Sequence, residues 1–98
     1  MKVETIECED EYEAEKLAGL LATQKDRSTY VSRIAGTVGN EIIIMLKDKS
    51  SHSVTLRDEK NVMSLKSLVQ DVVAGRRTIL KCTSKNQDNH LTISTKEE

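Results

Sequence analysis

Residues 58–75, DEKNVMSLKSLVQDVVAG, decide what this chain folds into. Val62, Leu65, Leu68, Val69, Val72 and Val73 recur at steps of three and four, which gathers them into one stripe of an α-helix. Asn61, Ser64, Lys66, Ser67, Gln70 and Asp71 fall on the other side. Asp58 can accept from the free amides of the first turn, and Glu59 places negative charge at the positive end of the helix dipole. Gly75 supplies a left-handed stop, and Arg76 and Arg77 follow where cations suit a helix C-terminus. The stripe needs an apolar partner, and the runs on either side, residues 41–57 and 77–84, read as the strands that provide it.

Further out, residues 42–46 are five consecutive large aliphatics, the signature of a central, buried strand. A polar turn over 47–51 leads to a return strand in which Val54 and Leu56 alternate with Ser53 and Thr55. Beyond the helix, residues 78–83 read as a strand, 85–89 as a turn, and Leu91 and Ile93 mark a last, edge-like strand. At the other end, residues 2–8 read as a first strand. Asp10 with Glu13 resembles a capping box, and Ala14, Leu17, Ala18 and Leu21 form a second helical stripe ending near Gln24. Gly19 within it suggests a close crossing.

Residues 25–40 admit two readings. As a helix, Val31, Ile34, Ala35 and Val38 make a stripe, with Ser28 to cap and Gly39 to terminate. As a strand, residues 30–38 have the right propensities, and Gly39-Asn40 makes a hairpin turn. Gly36 weakens so short a helix, so the strand is preferred. The expectation is an α+β single domain over residues 1–98: a two-layer sandwich, with a mainly antiparallel sheet of four to six strands and two or three helices on one face.

Ninety-eight residues suffice for one aliphatic core, which must do without Phe or Trp. No run reaches the ~20 apolar residues of a membrane span, and the first residues do not read as a signal peptide. Cys8 and Cys82 make no zinc or redox spacing and are expected as free thiols in a reducing cytoplasm. His52 and His90 fall in predicted turns, with no neighbour at a spacing that recommends a catalytic triad. Residues 36–39, GTVG, lack the Lys-Ser or Lys-Thr of a phosphate loop. No cofactor, metal site or catalytic residue is expected.

Charge is unevenly spread. Residues 1–24 hold two bases against seven acids, and residues 25–98 thirteen bases against nine acids. Packing of an acidic helix near basic strands explains this most simply; a basic face for an anionic partner is the sharper alternative. The candidate contacts for such a partner are Lys25, Arg27, Arg33, Arg76 and Arg77. Taken together, these features suggest a small cytoplasmic, non-enzymatic binding or regulatory protein whose partner is another protein, with homodimerisation through a sheet edge as one form. A nucleic-acid-binding or transcription-associated role, using the basic residues of 25–85, is the alternative.

Over residues 27–84 the pattern resembles the histidine-containing phosphocarrier protein of the bacterial sugar phosphotransferase system. The matching pieces are Arg27, the aliphatic run 42–46, the polar turn 47–51, the return strand 54–56, Lys60-Asn61-Val62-Met63, and the Gly75-led step into the next strand. The resemblance implies a helix over 30–38. Lys25 stands where that family has its phosphorylated His, and Asn61 where it has its regulatory Ser, unless the register shifts to Lys66-Ser67-Leu68. A whole helix also intervenes after the first strand. The resemblance therefore implies a protein-binding relative of the scaffold, without phosphoryl carriage.

Overall fold

A computed structural model describes residues 1–22, 31–84 and 88–98. The elements run β1 (Lys2–Glu7), α1 (Glu11–Ala22), β2 (Val31–Val38), β3 (Glu41–Leu46), β4 (Ser51–Thr55), α2 (Glu59–Val73), β5 (Arg77–Ser84) and β6 (His90–Glu97). The fold is α+β, and among the described residues all strand pairing is antiparallel. The six strands divide into two three-stranded sheets, ordered β1-β6-β5 and β2-β3-β4. An antiparallel bridge, Cys8 to Leu56, joins the sheets at one corner.

α2 forms as its pattern requires. Asp58 is extended, and its carboxylate accepts from the Asn61 amide at 3.0 Å. Val62, Leu65, Leu68 and Val69 are buried; Val72 is half-buried and Val73 exposed, so the stripe opens at its C-terminal end. Gly75 has φ +81°, and the Arg76 amide reaches back to the Asp71 carbonyl at 2.9 Å while the Gly75 amide reaches Val72 at 3.1 Å. These two bonds are a Schellman stop. Beyond Gly75 and its chain neighbours nothing lies within 4 Å of where its Cβ would stand, so a substitution there meets strain and not a clash. Gly75→Ala is expected to cost about 1 kcal/mol in urea unfolding, from the left-handed backbone alone.

In α1, Asp10 caps the Glu13 amide at 2.9 Å. The Glu13 carboxylate accepts from the Thr55 amide on β4 at 3.2 Å, so it works across the fold and not only within its own first turn. Lys16 donates to the Ser53 carbonyl at 2.8 Å. Together they seal the free edge of β4. Gly19 is exposed and nothing approaches it, so the expected close crossing is not there.

Residues 31–38 are strand, as propensity indicated and not the helix that the phosphocarrier likeness implied. Tyr30 and the expected helix end near Gln24 lie outside the described residues. Gly39 and Asn40 form a two-residue hairpin loop between the Val38–Glu41 pair, with Gly39 at φ +60°. The aliphatic run in β3 is central as expected, but only Ile42 and Ile44 are fully buried; Ile43 and Met45 face outward. The last strand, expected at an edge, is central: β6 lies between β1 and β5. Its alternation misleads because a central strand with one open face also reads apolar-polar.

Both sheets and both helices share one core. α1 packs on β5, β6 and β4, and α2 on β2, β5 and β1. Ile6, Leu91, Ile93 and Ile79 from one sheet meet Ile42, Ile44 and Val54 from the other, closed by Leu17, Leu21, Leu65 and Leu68. No helix among the described residues is long and apolar enough to cross a membrane.

Candidate functional site

Three of the five basic residues expected as partner contacts, Arg33, Arg76 and Arg77, lie among the described residues. Lys25 and Arg27 lie outside the described residues. Arg33 is exposed on β2, opposite Met45 on the outer face of its sheet. Arg76 clasps Asp71 through two nitrogens, at 3.0 and 2.8 Å. Arg77 is buried: its guanidinium donates to Glu4 at 3.0 Å and twice to Thr95, at 2.6 and 3.2 Å. Arg57 pairs with Glu7. Glu4 and Glu7 belong to the acidic first quarter of the chain, so part of the charge imbalance is resolved inside the fold.

His90 is not a free turn histidine. It opens β6, and its ring lies between two carboxylates, Asp88 on Nδ1 and Glu7 on Nε2 at 2.9 Å. Asp88 chiefly, then Glu7, raises the imidazole above its ordinary value of about 6.5. Asp88 is lowered by His90, and Glu7 by Arg57 first and His90 second. The folded imidazole thus holds its proton more tightly than the unfolded one. Its stabilisation is fully present below about pH 6.5 and is lost as pH rises through the raised folded value. His90→Gln should therefore be less stable than the parent in urea at pH 6, with the deficit narrowing at higher pH; a deficit that does not change with pH refutes the pairing. Sequence spacing offered one clue, Asp88 two residues before His90, but Glu7 arrives only through the β1–β6 register.

His52 is half-buried in β4 and meets Ser50 at 3.0 Å. Both cysteines are free, and burial pushes each thiol up to about 12. Neither is a ready nucleophile near neutral pH. Asn61, where the phosphocarrier resemblance looks for a regulatory Ser, is a clamp: its carbonyl oxygen accepts from the Glu7 amide and its amide donates to Asp58, both at 2.8 Å.

A different place has the shape of a recognition site. Between the end of β2 and the N-terminal half of α2 runs a groove of about 360 Å³, lined by Thr37 and Gly39 on one side and Glu59, Val62, Met63 and Lys66 on the other. Val38, within that strand end, is 72% exposed, and Met63 is 64% exposed. β2 ends its sheet, so among the described residues its second edge pairs with no strand. Two bulges disrupt its first half, but the register runs unbroken from Gly36 to Val38 beside the groove. The edge of β5 carries a bulge near Leu80 and exposed Lys81. The groove is not legible in the sequence because Met63 falls outside the apolar stripe of α2 and Val38 closes a stretch that also reads as a helical stripe.

Comparison with protein-family models, with curated proteins and with solved structures finds no match to this chain.

Proposed function

We propose that this chain is a non-enzymatic binding module of the reducing cytoplasm that acts by associating with another protein. The observation that carries the reading is the open edge of β2 beside exposed Val38 and Met63, next to a groove floored by Val62. Large apolar side chains left exposed beside an unpaired strand edge are a common basis for protein recognition. Commitment of Arg57, Arg76 and Arg77 to carboxylates of their own chain favours a protein partner over nucleic acid. Two free, buried or half-buried thiols suit a reducing compartment. In this reading the helices form one layer against the strands, and the outward Ser53, Thr55, Thr92 and Ser94 add a polar surface for the partner.

A photocrosslinking residue placed at Val38, and separately at Lys81 as a control on the other sheet, tests the reading in cells. Crosslinks to protein from Val38 and not from Lys81 are expected. Adducts that nuclease removes and that disappear at high salt would instead favour the nucleic-acid alternative. A second copy of the chain is one candidate partner, and sedimentation equilibrium at high concentration reads that case directly.

A further inference from the structure

The charges of the β2–α2 groove specify what it would take. Among the described residues Glu59 and Lys66 form no ion pair, unlike Arg57, Arg76 and Arg77. Glu59, Val62, Met63 and Lys66 stand at i, i+3, i+4 and i+7, on one face of α2. An acid and a base therefore flank an apolar centre, about 10 Å apart along the helix axis.

The direction of an incoming segment follows from the packing. Val31, at the start of β2, lies with Val69, Val72 and Val73, and Thr37, near its end, lies with Glu59 and Val62. α2 thus runs antiparallel to β2. A segment that adds to β2 in the antiparallel sense runs with α2, its N-terminal end at Glu59 and its C-terminal end beyond Lys66. Strands advance about 3.3 Å per residue and turn alternate side chains to one face. Five residues therefore present three inward side chains over about 13 Å, close to the Glu59–Lys66 span.

We infer that β2 takes an extended segment of another protein with the order base–x–aliphatic–x–acid. The base meets Glu59, the aliphatic side chain enters beside Val62 and Met63, and the acid meets Lys66. The main-chain bonds of the added strand supply sequence-independent affinity, and the groove supplies selection. This rests on the protein-binding reading above and names the class of partner.

The test is selection of a displayed library of random nine-residue peptides against the full chain, repeated against E59K/K66E. Glu59 is exposed and Lys66 half-buried, and a cooperative thermal melt confirms that the variant folds. The parent should enrich base–x–aliphatic–x–acid, and the variant the reversed order. A peptide selected on the parent should bind the variant about tenfold more weakly, as expected when two ion pairs turn repulsive. Amide shifts on binding should fall on β2 and the first half of α2. Peptides with no charge order, or the same order for both proteins, overturn the inference while leaving protein recognition standing. Enrichment of no peptide at all, together with nuclease-sensitive adducts from Val38, sinks the reading beneath it as well.

Discussion

Leu65→Ala should lower the unfolding free energy by about 2–5 kcal/mol. Leu65 is fully buried in the middle of α2, in the core where both sheets and both helices meet. Truncation removes the transfer free energy of its buried methyl and methylene groups and leaves a cavity in a close-packed core that relaxes only partly. A domain of this size holds roughly 5–15 kcal/mol in total, so the loss is a large fraction of it. Each kcal/mol should move Tm by roughly 4–8 °C, and a fall of 10 °C or more is the expected reading. Met63→Ala, two residues earlier and on the exposed face, is the control and should change the urea midpoint little. Equal losses from the two substitutions would show that α2 presents a different face to the core.

Arg77→Ala should be the most damaging polar substitution, at about 3–5 kcal/mol. Arg77 is 7% exposed, and Thr95, which accepts two of its hydrogen bonds, is fully buried. Removing the guanidinium strands the Thr95 hydroxyl and takes from Glu4 its close cation. Asp71 loses less, because it stands 3.8 Å from Arg77 and is clasped separately by Arg76. The physical cause is the unpaired partner and not the lost attraction, which can be checked directly. Arg77→Met combined with Glu4→Leu and Thr95→Val removes every member of the group and should recover most of the loss. If the triple variant is no better than Arg77→Ala in urea unfolding, the cost lies in lost packing of the arginine stem.

Periodicity made the elements legible where one face decides the pattern. α2 was readable to its caps, because Asp58 and Gly75 act locally and the stripe repeats over four turns. β2 was ambiguous because 31, 34, 35 and 38 satisfy a helical stripe, and strand propensity settled it correctly. The division into two sheets was not legible. Pairing of β1 with β6 joins residues about ninety positions apart, and no local signal encodes which strands meet. Arg77 shows the same limit. Its place after a glycine suggested an exposed cation at a helix end, whereas its burial depends on Glu4 and Thr95, from strands distant in sequence. The His90 pairing with Glu7 and the β2–α2 groove are likewise products of register and crossing direction. Sequence patterns encode which face is apolar; they do not encode which charges end up within 3 Å.

The partition of the strands has a consequence for synthesis on the ribosome. The sheet β2-β3-β4 is a meander of consecutive segments, and it can close while the rest of the chain is still being made. The other sheet cannot, because β1 is translated well before β6, its only strand partner among the described residues. Until then Ile6 and the buried side of α1 wait without their final cover. The stretch most exposed to misassociation in the nascent chain is therefore β1–α1, and the seven acids against two bases among residues 1–24 oppose its self-association by like-charge repulsion.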